Sequence, residues 1–302
     1  MTLLEAIVLG IVQGITEFFP VSSSGHLVMT EELLGLSLPG VAFDVALHVA
    51  TLASVIIVYR QRLMGFARDA ARRETWSYMG RLVLATIPAA LVGVLFKDWF
   101  EARFDDPAFA GTMLLVTGSF VWSSRWALAT ARVRIIEVLP LGIALTVAVL
   151  AGTAAPFLAV LTVEALIMAV SRATSARAEA EPSWLTAAAM GVAQAAAILP
   201  GISRSGSTVL AGLWRRLDPV AAAEFSFLMS IPAILGAAIL SLPDLAAEGA
   251  TVAAPQLMGG ALAAGIAGVA AIRFFVGMLR RRSFHVFAWY CWVAGALFLL
   301  AR

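Results

Sequence analysis

Glu17, Ser23, His26 and Arg204 are the residues of this 302-residue chain whose types and setting point most directly to chemistry. Each lies beside an apolar stretch that a proline stops. Glu17 and His26 flank Pro20 in GIVQGITEFFPVSSSGH (10–26), and Arg204 follows Pro200 in GVAQAAAILPGISRSGST (191–208). An Arg presents a planar fork that binds phosphate through two parallel hydrogen bonds. A serine-rich turn opening a helix presents unpaired N–H groups and partial positive charge, which together make an anion site. Ser22, Ser23 and Ser24 are expected to cap a helix running through Leu27–Leu34. Ser203, Ser205 and Ser207 are expected to do the same for Val209–Leu217. Adding a carboxylate and an imidazole gives a set suited to phosphoryl transfer, where positioning and charge stabilisation supply most of the catalysis.

The two stretches are copies. Gly10 and Gln13 match Gly191 and Gln194. After a one-residue slip at the prolines, Ser22, Ser24 and Gly25 match Ser203, Ser205 and Gly206. Proline disfavours helix in the residue before it, so each first helix is expected to stop at Pro20 or Pro200. In a membrane chain, paired broken segments in corresponding halves point to a buried binding site.

Composition places the chain in a membrane. It is 61% hydrophobic and 13% charged, with a mean hydropathy of +0.92, whereas a soluble domain carries about a quarter charged residues. A single cysteine, Cys291, excludes an internal disulfide and a thiolate metal cluster. The pI near 9.1 comes from loop arginines, which argues for membrane orientation rather than nucleic acid. The N-terminus lacks a positively charged start and carries Glu17, so no cleaved signal peptide is expected.

Apolar segments fall near 3–19 with 25–36, 42–59, 80–96, 108–128, 135–152, 154–171, 184–199 with 207–217, 221–241, 254–278 and 284–301. A full crossing needs about 20 apolar residues. The proline-broken pairs fall short and are expected to be re-entrant hairpins, tolerable at depth only inside protein or a watery cavity. Arg60, Arg62, Arg68, Arg72 and Arg73 mark one basic loop. Arg125, Arg132 and Arg134 mark the next, Arg172 and Arg177 a third; Arg215–Arg216 and Arg280–Arg282 follow. The alternate loops 97–107 (Asp98, Glu101, Asp105, Asp106) and 242–253 (Asp244, Glu248) are acidic, so the basic loops belong in the cytoplasm. Threading the chain accordingly brings hairpin one in from outside and hairpin two from inside, each followed by three spans. The expected fold is an all-α membrane protein of inverted repeats. The first repeat spans about 1–130, an extra pair about 135–171, and the second repeat about 184–302, within a single membrane domain.

The residues also carry a family resemblance. Gln13-x-x-x-Glu17, followed by Phe-Phe-Pro-Val-Ser-Ser-Ser-Gly-His26, resembles the (Glu/Gln)-x-x-x-Glu signature of the bacterial undecaprenyl-pyrophosphate phosphatases. Pro200-Gly-Ile-Ser-Arg-Ser-Gly-Ser-Thr208 is similar to their Pro-Gly-x-Ser-Arg-Ser-x-x-Thr signature, and Ala-Glu-Phe-Ser-Phe-Leu at 223–228 to the stretch that follows it. The resemblance implies hydrolysis of a C55 polyprenyl diphosphate lipid to the monophosphate and inorganic phosphate. That reaction recycles the carrier for peptidoglycan synthesis and gives bacitracin tolerance. It further implies a bacterial cytoplasmic (inner) membrane location, a site opening toward the periplasm, a divalent cation (Mg2+ or Ca2+), and room for a homodimer. By position, Glu17 would bind the metal or act in acid–base steps, with Gln13 as a weaker metal or phosphate contact. His26 would be base or nucleophile, with Ser23 the rival nucleophile. Arg204 would clamp the diphosphate, helped by Ser22, Ser24, Gly25, Gly201, Ser203, Ser205 and Thr208. Gln13 fills a slot that is often Glu, which removes one anionic metal ligand.

Other polar residues read as structural. Asp44 and His48, one turn apart, are expected to serve helix packing, and Glu224 to be structural. Gln194 is expected to hydrogen-bond hairpin backbone, Glu164 to pair or snorkel, and Arg273 to snorkel. Gly259, Gly260, Gly265 and Gly268 are expected to mark close helix packing. The competing functional class is an inverted-repeat transporter or flippase of an anion or polyprenyl phosphate. Such a protein needs no nucleophile.

Overall fold

The computed structural model describes residues 1–36, 42–97, 99–100, 106–128, 179–243 and 252–300, with positions 153, 155, 157, 158, 162 and 245. Nearly all of the expected pair at 135–171 (Glu164 included) lies outside these residues. So do most of the acidic loop 97–107, Arg132, Arg134, Arg172, Arg177, Asp244 and Glu248.

Among the described residues the regular elements are helices, and an isolated bridge joins Glu179 to Leu217. The first hairpin pairs α1 (Leu3–Thr16) with α2 (Ser23–Leu33); α3 (Ala42–Val58), α4 (Arg60–Arg68), α5 (Arg73–Leu95) and α6 (Pro107–Leu128) follow. The second hairpin pairs α7 (Trp184–Ala196) with α8 (Arg204–Trp214). It leads into α9 (Pro219–Leu240), α10 (Ala254–Arg280), a 3-10 turn (Phe284–Val286) and α11 (Phe287–Leu300).

Caps fix several starts. Thr2 and Glu5 form a reciprocal capping box at α1, Ser183 caps α7, and Asp218 caps α9 with Pro219 in its first turn. Each such cap contributes about 1 kcal/mol.

Among the described residues three helices, α5, α9 and α10, are long and apolar enough to cross a membrane, and the bent pair α3–α4 makes a fourth if it is one span. That is fewer than the three spans expected in each half. Helix α6 carries Thr112, Thr117, Ser119, Ser123 and Ser124, all buried, which lowers its hydropathy. Helix α11 has only 14 residues. The apolar surface faces outward in stripes at a spacing of four: Val83, Ile87 and Leu91 on α5, and Met258, Leu262 and Ile266 on α10, are all exposed. That spacing lines one face of a helix, and so much exposed hydrocarbon suits a lipid solvent.

The hairpins lie across the opposite halves. Helix α1 packs along α10, and α7 packs along α5. A Cβ added at Gly10 would lie 2.2 Å from Gly260 O, and one at Gly191 2.7 Å from Ala85 O. The matched glycines of the two copies thus permit the same backbone-to-backbone approach, the small-residue packing that holds helices together in lipid. Gly260 and Gly268 are hemmed in by Phe43 and by Ser54 with Phe18, as expected of the α10 glycines.

Aromatic rings anchor the first hairpin. Phe18 meets Phe227 edge-on at 5.4 Å, and Phe227 meets Phe275 at 5.7 Å, which ties the α1 turn to α9 and α10. Away from the tips, Arg62 pairs with Glu224 at 3.0 Å and with Glu181 at 3.1 Å. Arg81 also pairs with Glu181, at 3.1 Å. Glu224 therefore has the structural role expected of it, pinning α4 to α9.

Candidate active site at the joined hairpin tips

Both first helices end before their prolines. Helix α1 stops at Thr16 and α7 at Ala196, because tighter turns replace the last helical hydrogen bonds. At the first tip Val21 N donates to Phe19 O at 2.7 Å, a three-residue turn around Pro20, whose ring fixes the φ it needs. At the second tip Ile202 N donates to Leu199 O at 3.0 Å around Pro200 and Gly201. Gly201 has φ +91°, the positive value that the third position of a type II turn requires. A Cβ there would also meet Ala110 O at 2.2 Å. Gly201 O in turn accepts from Thr117 Oγ1 at 2.8 Å, and Thr117 Oγ1 accepts from Ser203 N at 3.1 Å. Helix α6 thus clamps the second tip.

The second helices begin directly after the first of the expected cap serines, Ser22 and Ser203, which puts Ser23 and Arg204 in first turns. Their caps differ. Ser203 caps α8 by accepting from Gly206 N at 3.1 Å. Ser22 precedes α2 with φ 66° and ψ 107°, and no side-chain cap bond. The first-turn N–H groups of α2 therefore lack the seal that α8 has. A non-glycine residue at such a φ is a strained feature of the kind that gathers at functional sites.

The tips interlock. Ser205 Oγ donates to Phe19 O at 2.9 Å, with Ser203 Oγ at 3.4 Å from the same oxygen. Gly25 faces Gly201, and Gly206 faces Pro20. Thr208 Oγ1 donates to Arg204 O at 2.7 Å, which leaves the Ser226 hydroxyl to donate to Thr208 at 2.6 Å. Ser203, Ser205 and Thr208 hold the two hairpins and α9 together. The Ser22 and Ser24 hydroxyls contact each other at 3.3 Å.

Glu17 is the hub. Its Oε1 accepts from Arg204 Nη2. Its Oε2 accepts from Ser23 Oγ at 2.7 Å and from Gln13 Nε2 at 3.1 Å. His48 Nε2 lies 3.8 Å from the same oxygen, so His48 belongs to the site, where the sequence had suggested helix packing. Arg204 Nη1 donates to Ser226 O at 3.4 Å. Glu17 is 8% exposed, and a carboxylate so buried persists only when paired. His26 sits next to this cluster in the chain, with Nδ1 2.7 Å from Ser22 O and Nε2 2.7 Å from Tyr290 OH.

A hard divalent cation fits this donor set. Gln13 is fully buried, and its Oε1 has no hydrogen-bond partner among the described residues, while the Glu17 carboxylate lies beside it. Carboxylate and amide oxygens are Mg2+ and Ca2+ ligands, and Mg2+ commonly binds one or two carboxylates plus water and substrate phosphate. Among the described residues no group of three His, Cys, Asp or Glu is placed to hold an ion.

Four partners went unread as site residues in the sequence: Thr117, Ser226, Tyr290 and His48. Only His48 carried a signal, a polar residue early in an apolar span. Gln194 corrects an expectation, since both of its amide atoms are buried without a hydrogen-bond partner among the described residues.

Fold and site together define an all-helical, multi-pass membrane protein with a buried carboxylate–guanidinium–hydroxyl centre where two helical hairpins meet. The family model described as bacitracin resistance protein BacA matches residues 6–155 and 153–297. The chain belongs to that family. It is 36% identical to an undecaprenyl-diphosphatase of Syntrophotalea carbinolica over 99% of this chain and 98% of the relative. Undecaprenyl-diphosphatases of Desulfatibacillum aliphaticivorans and Carboxydothermus hydrogenoformans are each 34% identical, over 99% and 100% of this chain and 98% of each relative.

Proposed function

We propose that the protein is a membrane hydrolase that converts undecaprenyl diphosphate to undecaprenyl phosphate and inorganic phosphate, which gives tolerance to bacitracin. The carrying observation is the Glu17 carboxylate holding Ser23 Oγ from its own hairpin and Arg204 from the other. A hydroxyl bonded to a base, beside a guanidinium, is the arrangement of an activated nucleophile next to an anion clamp.

In this reading Arg204 turns its remaining N–H groups to the terminal phosphoryl oxygens, and the uncapped first turn of α2 at Ser23, Ser24 and Gly25 adds backbone donors. Ser23 Oγ attacks the terminal phosphorus as its proton passes to Glu17, and the bridging P–O bond breaks toward the lipid phosphate. Water then cleaves the phosphoserine: its oxygen goes to phosphate and Ser23 recovers a proton. His26 is the acid–base group for the water step. Ser23 Oγ is held on the Glu17 carboxylate that takes its proton, which favours Ser23 over His26 as nucleophile. Glu17 and Gln13 Oε1 would hold a Mg2+ or Ca2+ ion, which when bound neutralises charge on the phosphates.

The paired contacts of α1 with α10 and α7 with α5, through matched Gly10 and Gly191, support an inverted repeat of about 1–130 and 184–302 in one membrane domain. The loop arginines support a cytoplasmic-membrane location with the basic loops inside. A site opening to the periplasm and a homodimer complete the proposal.

The test is phosphate release from a polyprenyl diphosphate by the purified protein. Glu17→Ala and Arg204→Ala should both lose turnover with folding retained. Wild-type rates in both would remove the site.

A further inference from the structure

Tyr290 lies on the last helix, far in sequence from either hairpin, yet it reaches His26. Its hydroxyl is 2.7 Å from His26 Nε2, and the two rings are stacked at 5.5 Å between centroids and 15° between planes. The next residue, Cys291, donates from Sγ to Pro20 O at 3.4 Å. Two consecutive residues of α11 thus hold the first tip, one through backbone and one through the imidazole.

The partners decide the state of the ring. Ser22 O can only accept, so Nδ1 carries a hydrogen. In the neutral imidazole Nε2 then carries the lone pair, and the Tyr290 hydroxyl donates to it. The positive φ of Ser22 sets the direction of the carbonyl that demands this tautomer. Backbone strain on one side and a phenol on the other therefore fix the same ring. A hydroxyl suits both stages of a proton cycle. It donates to the Nε2 lone pair and accepts from Nε2–H once the ring is protonated, which neither a carboxylate nor a backbone amide does.

We propose that Tyr290 is a positioning residue of the phosphatase site, fixing the orientation of His26 and following its proton through the Nε2 hydrogen bond. The proposal rests on the acid–base reading of His26 given above.

The test combines kinetics with nitrogen NMR on the purified protein labelled with 15N-histidine. The chain has only three histidines, and His26→Asn identifies the His26 signals. Wild type should show Nδ1–H with a hydrogen-bonded Nε2. Tyr290→Phe keeps the ring stack and removes the hydroxyl. It should shift the His26 Nε2 resonance and loosen the ring's orientation while Nδ1–H persists, with kcat down about tenfold and KM unchanged. Tyr290→Leu, which also removes the stack, should lose more. Unchanged His26 signals and kcat in Tyr290→Phe, with or without a lower unfolding temperature, overturn the role of Tyr290. If His26→Asn turns over at the wild-type rate, it is the reading of His26 that falls instead.

Discussion

Glu17 closes α1 and Arg204 opens α8, and the two side chains form one hydrogen-bonded ion pair across a separation of 187 residues. That pair is the electrostatic seam between the hairpins. Each charge is compensated by the other, and each is left with capacity for a ligand. The guanidinium keeps donors free for phosphate, and the second carboxylate oxygen gathers Ser23, Gln13 and His48.

Removing either half of the pair leaves the other charge buried and alone. Arg204→Ala should lower kcat by at least about 100-fold. Arg204→Lys, which keeps charge but loses the fork, should lose less than Arg204→Ala and show a higher KM. Phosphate-release kinetics check both.

Ser23 and Ser205 are both serines of hairpin tips, but only Ser23 touches the Glu17 carboxylate; Ser205 bonds the Phe19 carbonyl. Ser23→Ala should abolish turnover while leaving the unfolding temperature in detergent near wild type. Ser205→Ala should cost about 1 kcal/mol of stability and leave turnover measurable.

Gly201→Ala is expected to fail structurally. It places a side chain at φ +91° and a Cβ 2.2 Å from Ala110 O. The strain alone costs about 1–3 kcal/mol, and the clash pushes the second tip off α6. A lowered unfolding temperature together with weakened activity is the expected result.

In the proposed metal site Gln13 would supply an amide oxygen where a carboxylate would bind a cation more strongly. Chelation should stop turnover, and added Mg2+ or Ca2+ should restore it. Gln13→Glu should move the metal-activation midpoint to lower concentration. An unmoved midpoint would exclude Gln13 as a ligand.

Much of this was legible in the chain. Gln13, Glu17, Ser23 and His26 lie within one short stretch, so local geometry alone keeps them near one another. The apolar segments at 42–59, 221–241 and 254–278 became α3, α9 and α10 with small shifts. Helix ends were less legible. Ser203, one of three serines offered as the cap of the second helix, is the one that caps α8, and the residue types alone did not choose among the three. A turn can tighten before proline and a helix can begin directly after it, and no side-chain pattern records which occurs.

The sequence by itself determined which chemistry is available: one guanidinium, one carboxylate, hydroxyls and an imidazole, divided between two proline-broken helices in an apolar chain. Only the tertiary structure decided which of these groups share an oxygen. Glu17 with Arg204, His26 with Tyr290, and Gly201 with Thr117 are joined by helices crossing at small residues such as Gly10 and Gly191. Such crossings depend on how several separate segments fit together in lipid, and that fit is a property of surfaces rather than of any one stretch of residues.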